Sequence, residues 1–574
     1  MLDTMLATTF IPGTNVKGDV TGANWSYGLP RLALEQTLCL GAPLPTTLIT
    51  LARLSEAVVV ICANPRQMRK LHQASQRAGL TNVHLLTADW HGTLPVTGGS
   101  VDLVLIADQS GVRRLRHDRA LLAQIQRWLK PEGLIYFEFG GPFDGLRDGM
   151  ALNGLADGLP APQLFWLTPG SGEMQTAVPL DDAETIRFFR RHSLYSPSIR
   201  LRGLGRVGRF LSRHPVVGRL TRRYGVLAGD AAARPAGAPP QYLRTIAQAA
   251  GVDISTHRWG LAAHGIFASR KVLVYLFPRT SASPEYVVKM TRDPANNYRL
   301  ENAYRALLLL HKKGIGDHET LPQAAFFGLH GGLAILGEKV IDGVPFRQQT
   351  TAAADCPYAR NAIDWLVELG AATANSSAVA PYLVAEGLEA LFQRFTQIYR
   401  LAPAHRDFLV GQLATIARSD AAFPLVFQHG DPGTWNVLVT PGGRAAFLDW
   451  EAAEPEGMPL WDLFYFIRSH GVWVSRVRGE RDSLRGFSQH FLARSALSPI
   501  LIEVTQRYCD QTGLSRDLVE PLFYTCWMHR ALKEATRLTS SRLERGPYVS
   551  LLRLCIDQRE APTLRRLFSL SSED

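Results

Sequence analysis

The C-terminal half of the chain carries its most informative sequence in Gln428-His-Gly-Asp431-Pro-Gly-Thr-Trp-Asn436-Val-Leu-Val439 and, shortly after, in Ala446-Phe-Leu-Asp449-Trp-Glu451. The pattern predicts a loop that carries Asp431 and Asn436, then two short strands, the second of which ends in Asp449. This hairpin would bring three oxygen-bearing side chains together. Phosphoryl transfer needs such a set, because one carboxylate orients the attacking hydroxyl and other oxygen ligands hold Mg²⁺ on the nucleotide phosphates.

A second group of charged residues lies upstream, where a strand and a helix are predicted. Lys289 lies on the strand Glu285-Tyr-Val-Val-Lys289-Met, and Glu301 begins a helical run. A strand lysine that pairs with a helix glutamate fixes the ammonium group against the nucleotide phosphates. Residues 332–338, which end in Glu338, predict a strand that leads into a hinge between two lobes.

These segments, in this order and spacing, resemble the aminoglycoside phosphotransferase/choline kinase family, small-molecule kinases related to protein kinases. The resemblance implies a two-lobed, protein-kinase-like α+β domain over residues 242–574 that uses ATP and Mg²⁺ to phosphorylate a hydroxyl group of a small molecule. Residues 259–265 contain two glycines but no clear glycine-rich phosphate loop, so the nucleotide-loop residues are not assigned. A pseudokinase that only scaffolds partners is the alternative.

The same resemblance gives each charged position an expected role. These roles are catalytic for Asp431, with His429 bracing its loop; metal-binding for Asn436 and Asp449; nucleotide-binding for Lys289, Glu301 and Glu338; and structural for Asp462. The acceptor is not identified by any of these residues. A sugar or polysaccharide precursor is expected by analogy alone.

The N-terminal half predicts a different fold. Residues 30–186 alternate short apolar runs with helix-like patterns, which is typical of βαβ units and a parallel sheet. The predicted strands cover residues 37–41, 57–62, 82–86, 101–107 and 133–139. With Asp89 after the third strand and Asp102 at the start of the fourth, this half resembles a class I S-adenosylmethionine-dependent methyltransferase. The resemblance implies a Rossmann-like α/β domain.

Most cofactor-binding positions of that family are altered here. The turn after the first strand reads Cys39-Leu-Gly41-Ala-Pro43-Leu-Pro45, so prolines, which lack an N–H group, replace glycines that would approach the cofactor. Cys62 stands where an acid would hold the ribose, whereas Asp89, the position near the adenine, is retained. We therefore predict a scaffold that does not bind S-adenosylmethionine. Two alternatives are a bifunctional methyltransferase/kinase and a domain that binds another ligand.

Positive charge is concentrated in one segment. The chain has 574 residues and a net charge of +11, but eleven arginines and no lysine or acidic residue lie from Arg187 to Arg223. Outside this segment, basic and acidic residues are equal in number. We therefore expect no specific nucleic-acid partner. The segment is interpreted as a solvated linker, a peripheral contact with an anionic membrane, or an internal docking surface. Its GxGxxG sequence at 203–208 follows no buried strand and does not predict dinucleotide binding.

Composition indicates a globular protein of the cytoplasm. Hydrophobic residues make up 46% and charged residues 20%, as in domains with full cores. We find no signal-peptide pattern and no apolar run long enough to span a bilayer. The six cysteines lack metal-ligand spacing. The predicted order is an N-terminal extension (1–29), the methyltransferase-like domain (30–186), the arginine-rich segment and linker (187–241) and the kinase-like domain (242–574).

Overall fold

The structure is a computed structural model that describes residues 22–89, 94, 96–115, 118–140, 159–169, 174–192, 223–229, 237–265, 270–350, 353–374 and 379–569. Contacts within the chain divide it into two compact units. We call them the sheet unit, which comprises Gly18–Leu300 and Ala324–Val340, and the helical unit, which includes Glu301–Gln323 and Ile341–Asp574.

A single mixed sheet of thirteen strands runs through the described part of the sheet unit. In chain order its strands are β1 (Leu34–Leu40), β2 (Ser55–Ile61), β3 (Val83–Leu86), β4 (Val101–Ile106), β5 (Leu129–Gly140), β6 (Gln163–Pro169), β7 (Met174–Pro179), β8 (Arg223–Gly229), β9 (Arg258–Ala262), β10 (Val272–Phe277), β11 (Tyr286–Met290), β12 (Ala324–His330) and β13 (Leu333–Lys339). Across the sheet they lie in the order β12-β13-β11-β10-β9-β7-β6-β8-β5-β4-β1-β2-β3.

The first five strands form the parallel part of the sheet. β1 lies between β2 and β4, and every residue of β4 is buried, as expected for a strand that is covered on both faces. The five predicted strands are confirmed as β1 to β5, with ends shifted by a few residues. The helices of this unit are α1 (Pro45–Leu54), α2 (Pro65–Arg77), α3 (Gln109–Leu115), α4 (Arg119–Trp128), α5 (Ala183–His192) and α6 (Gln241–Ala249).

Two predicted boundaries need correction. β8 lies inside the predicted linker 187–241, yet it pairs with β5 and β6 in the interior of the sheet, and its last six residues are buried. Residues 22–29 of the predicted extension 1–29 also belong to the core. There, the Nδ2 atom of Asn24 donates to the Met174 carbonyl at 2.7 Å, and Trp25 stacks on Tyr136 with ring centroids 3.9 Å apart.

The strands from β9 onward continue the same sheet. β9 pairs with β7 through Thr176 opposite Ala262 and Ala177 opposite Leu261, and β10, β11, β13 and β12 follow beyond it. Phe189 of α5 packs on this junction so tightly that a Cβ atom at Gly260 would lie 2.3 Å from its ring. The predicted boundary between residues 241 and 242 therefore does not separate compact units, because strands on either side of it share one sheet.

The helical unit contains the predicted hairpin. β16 (Val437–Val439) and β17 (Ala445–Phe447) pair antiparallel, and β14 (Val344–Pro345) pairs with β16; β15 (Val426–Gln428) pairs with β18 (Glu454–Gly457). Helix α7 (Asn297–Lys312) leads into this unit. The helices after it are α8 (Phe346–Gln349), α9 (Pro357–Thr373), α10 (Pro381–Ile398), α11 (Pro403–Ala417), α12 (Trp461–Val477), α13 (Ser483–Phe487), α14 (Ser498–Thr512), α15 (Val519–Ala535), α16 (Pro547–Asp557) and α17 (Pro562–Phe568).

Two further expectations concern the environment of the protein. Over the described ranges, no helix is long and apolar enough to cross a membrane. Residues 193–222 of the arginine-rich segment, with its GxGxxG sequence, lie outside the described residues, so the membrane contact stays a prediction.

Candidate active site

His429 fixes the loop that follows β15. Its ring is fully buried; Nε2 lies 2.9 Å from the Leu448 carbonyl oxygen, and Nδ1 accepts the N–H of Asp431 at 3.2 Å. Because Nδ1 accepts, the proton is on Nε2, which donates to Leu448. Burial lowers the pKa of His429, so the ring is neutral near pH 7. The histidine thus ties the Asp431 loop to the end of β17.

Asp462, in the first turn of α12, supports the same loop. Its carboxylate accepts the N–H groups of His429 and Gly430, the latter at 3.2 Å, and burial raises the pKa of this carboxyl group. Gly430 has φ of 76°, and a Cβ atom there would lie only 1.9 Å from the Ala452 carbonyl oxygen. Only glycine fits this turn without a shift of the backbone. These contacts agree with the structural role predicted for Asp462.

Asp431, Asn436 and Asp449 are brought together by the hairpin. Nδ2 of Asn436 donates to the main-chain oxygen of Asp431 at 2.9 Å and to its Oδ2 at 3.2 Å. The N–H of Leu448 donates to the Asn436 carbonyl at 2.8 Å, which places Asp449 next to the asparagine at the open end of the hairpin. An amide oxygen and a carboxylate are the donors that Mg²⁺ prefers, so this set fits a magnesium ion. The individual roles stay predictions.

Arg530 on α15 also belongs to this site, although no sequence motif predicts it. Its side chain is 7% exposed, and Nη1 lies 3.5 Å from Oδ1 of Asp431. Its guanidinium carbon lies 3.3 Å from the ring centroid of Tyr465, a cation–π contact. Burial lowers the pKa of Arg530, but Tyr465 and Asp431 more than offset this and raise it. Arg530 lies far downstream of Asp431 in no recognisable motif, so only the tertiary structure reveals it.

The predicted nucleotide-binding residues are divided between the two units. In the sheet unit, Nζ of Lys289 on β11 lies 2.8 Å from Oε1 of Glu338 on β13, and both side chains are buried. In the helical unit, Glu301 is partly exposed and forms an ion pair with Arg305 one turn along α7. The structure therefore pairs Lys289 with Glu338, its neighbour on the adjacent strand, because β11 and β13 are hydrogen-bonded. The pairing of Lys289 with Glu301 stays a prediction.

The turn after β1 leads directly into α1. α1 begins at Pro45, and Gly41 has φ of 86°. A Cβ atom at Gly41 would lie 2.6 Å from Oδ2 of Asp108, so a carboxylate already contacts the glycine of this turn. At the end of β2, the sulfur of Cys62 accepts the N–H of Asn64 at 3.4 Å. The cysteine thus makes a local contact where the family has an acid.

The two aspartates of the methyltransferase resemblance differ in their surroundings. Asp102 on β4 is buried, accepts the N–H groups of Glu35 and Gln36 at 2.9 Å, and lies 3.1 Å from the ammonium group of Lys130. It therefore stabilises the start of the sheet. Asp89 is exposed, and its role near an adenine stays a prediction.

Two family matches agree with this geometry. Residues 270–491 match the phosphotransferase enzyme family, and residues 38–137 match a methyltransferase domain. The first range contains every predicted kinase residue from Lys289 to Asp462. The matches confirm both resemblances and the fold class, an N-terminal methyltransferase-like α/β domain followed by a phosphotransferase-like α+β domain. No curated protein matches the chain.

Several solved structures show weaker similarity. A crystal structure of WbdD is 13% identical and covers 93% of this chain and 90% of its own, with a TM-score of 0.24. A SAM dependent methyltransferase from Aquifex aeolicus is 12% identical and covers 36% of this chain and 85% of its own, with a TM-score of 0.22. The N-methyltransferase NodS from Bradyrhizobium japonicum WM9 is 17% identical over 26% of this chain and 87% of its own, with a TM-score of 0.20. These similarities are too weak to transfer an activity or a ligand.

Proposed function

We propose that the protein is an ATP- and magnesium-dependent kinase that phosphorylates a hydroxyl group of a small molecule, with a sugar or polysaccharide precursor as the acceptor. The observation that carries the proposal is the arrangement of Asp431, Asn436 and Asp449 on one loop and hairpin, held by His429 and Asp462. The match of residues 270–491 to the phosphotransferase enzyme family supports it.

Each residue of this site has a chemical task in the proposed reaction. Asp431 accepts a hydrogen bond from the acceptor hydroxyl and orients its oxygen for attack on the γ-phosphorus. Lys289, positioned by Glu338, binds the phosphates of the nucleotide. Asn436 and Asp449 hold the magnesium ion, which neutralises charge on the phosphate oxygens when bound. Arg530 fixes the Asp431 carboxylate.

Two substitutions test this assignment. We expect Asp449→Ala to abolish metal-dependent nucleotide binding, because it removes a charged metal ligand. Asp431→Asn should retain MgATP binding but lose phosphoryl transfer, because the amide cannot accept the hydroxyl proton. Calorimetry with MgATP and single-turnover ATP consumption measure the two effects. A wild-type protein without affinity for ATP at millimolar magnesium would favour the pseudokinase scaffold instead.

We propose a scaffold role for the methyltransferase-like region and expect no S-adenosylmethionine binding. Pro43 and Pro45 cannot donate backbone N–H groups, and the Cys62 thiol cannot pair with ribose hydroxyls as a carboxylate would. A thermal-shift titration of the full chain with the cofactor tests this. A saturable rise in melting temperature would support the second candidate function, a bifunctional methyltransferase/kinase, which the family match at 38–137 favours.

We propose a cytoplasmic location, with residues 187–223 in peripheral contact with anionic membranes. The support is the run of arginines alone, since each basic residue near such a surface contributes about 1 kcal/mol. Co-sedimentation with phosphatidylglycerol vesicles should occur at low salt and disappear at about 0.5 M salt, where screening is strong. Equal recovery with neutral vesicles would contradict this contact.

A further inference from the structure

Arg347 lies beside the loop of Asp431, enclosed by aromatic side chains. It is on α8, and its Nε atom donates to the Thr434 hydroxyl at 2.9 Å. Its guanidinium carbon lies 5.1 Å from the ring centroid of Trp435 and 5.0 Å from that of Trp473 on α12. Both Thr434 and Trp435 belong to the segment between Asp431 and Asn436. The arginine is therefore held in a fixed place next to the candidate catalytic residues.

No carboxylate in the described part of the chain neutralises the positive charge at this place. Among the described residues, no carboxylate forms an ion pair with Arg347 or with Arg476, which lies three residues after Trp473 and so on the same face of α12. Burial, together with the nearby charge of Arg476, lowers the pKa of Arg347 to about 10. Partly buried arginines are usually paired with an acid, because desolvation of a lone charge is costly. Here none of the residues that the structure describes supplies such an acid.

The unpaired charge is connected to Asp431 through ring contacts. Trp435 packs edge-on against Tyr465 with ring centroids 6.1 Å apart. The Tyr465 ring in turn contacts the guanidinium group of Arg530, which lies 3.5 Å from Asp431. The indole of Trp435 is nevertheless 47% exposed, so it offers an apolar surface next to the charge. A molecule that contacted Trp435 and Arg347 would therefore lie near the carboxylate that orients the acceptor hydroxyl.

We propose that Arg347, Arg476 and Trp435 bind the anionic group of the acceptor, so that the substrate class is a sugar that carries a phosphate or carboxylate group. The arginines supply charge-assisted hydrogen bonds to the anion, and the indole contacts the apolar face of the sugar ring. This inference rests on the proposed kinase function. It excludes cationic acceptors, because two unpaired arginines would repel them.

The test uses the full chain with Mg·ADP present, so that the nucleotide site is filled, and inorganic phosphate as the probe. Calorimetry should show saturable binding of phosphate to the wild type. Arg347→Gln combined with Arg476→Gln should weaken it at least about tenfold, whereas the exposed control Arg494→Gln should bind as the wild type does. Arg347→Lys, which keeps the charge and much of the packing, should bind within about threefold of the wild type. Arg476→Gln alone removes an exposed charge without disturbing the rings and should weaken binding about threefold.

A second set of titrations distinguishes the sources of the anion. Glucose 6-phosphate, glucuronate and glucose are compared under the same conditions, and the two anionic sugars should bind at least about tenfold more tightly than glucose. Equal phosphate affinity in the wild type and the double variant, absent phosphate binding in the wild type, or tighter binding of glucose would each overturn the inference. If the wild type binds phosphate through Arg347 and Arg476 but does not bind MgATP, the anion site is supported and the kinase proposal is contradicted.

Discussion

Arg530 is a buried charge that contacts the candidate catalytic carboxylate. It lies 3.5 Å from Asp431 and is stacked on Tyr465, so it limits the orientations of the Asp431 side chain. We expect Arg530→Met to lower kcat about tenfold to a hundredfold, the range of a charge-assisted hydrogen bond, with little change in the KM for ATP. Steady-state kinetics of the variant measure this, with Arg494→Met as the control. A rise in the KM for ATP with unchanged kcat would contradict the positioning role.

Buried histidines make the free energy of unfolding depend on pH below about pH 6.5. His470 on α12 is fully buried with Nε2 3.2 Å from the Ala354 carbonyl, and burial lowers its pKa from 6.5 to about 4. Below pH 6.5 the unfolded chain binds this proton and the folded chain does not, so stability falls as the pH drops from 6.5 to 4, by about 1.4 kcal/mol per pH unit.

Urea unfolding at a series of pH values measures this dependence. His470→Gln should reduce the slope of the curve between pH 6.5 and 4, because it removes the proton that this histidine binds only in the unfolded chain. His318→Gln, at an exposed position, should leave the slope unchanged. An unchanged slope in His470→Gln would assign the acid sensitivity to other groups.

Among the elements, the turn at Gly430 is the most constrained part of the site. We expect Gly430→Ala to destabilise the protein by about 2–4 kcal/mol, because φ is positive and the added Cβ atom would overlap the Ala452 carbonyl oxygen. Gly411→Ala is the matched control: in α11 nothing lies within 4 Å of the added atom, so alanine should stabilise by about 0.5–1 kcal/mol. Chemical denaturation of the two variants should show opposite signs.

The elements also show where sequence patterns suffice and where they fail. β4, which is apolar except for Asp102, is buried on both faces, so its composition alone predicts it. β8 is not predicted by its sequence, because Arg223 begins it, Gly225 interrupts it and Gly229 ends it, although its partners β5 and β6 supply the hydrogen bonds. The loop from His429 to Asn436 was predicted from its motif. Arg347 and Arg530 were not, since their contacts depend on packing between segments distant in sequence.

On the scale of the whole molecule, the shared sheet determines which fragments can fold. Residues 242–574 alone would lose β7 from beside β9, and Trp259 would lose Phe165, whose ring lies 5.8 Å away in the common core. We expect this fragment to aggregate, because β9 would become an exposed edge with an apolar face. Size-exclusion chromatography beside the full chain measures this. A monomeric fragment with native near-UV circular dichroism would contradict the expectation.

Under the proposed scaffold role, the same sheet explains why the methyltransferase-like region would be retained without a cofactor. Strands β6 to β8 lie in the same sheet as β11, which carries Lys289, and β7 pairs directly with β9. A deletion of β6 to β8 would therefore also disrupt the strands around Lys289. The exposed residues of the turn after β1, Leu44 and Pro45, do not support the sheet. Among descendants of a common ancestor, we therefore expect substitutions to accumulate freely at these two positions, whereas the apolar residues of β7 and β9 should change only in compensating pairs. Under the proposed scaffold role, a cofactor site can be lost here while the strands that support the neighbouring part of the sheet must be kept.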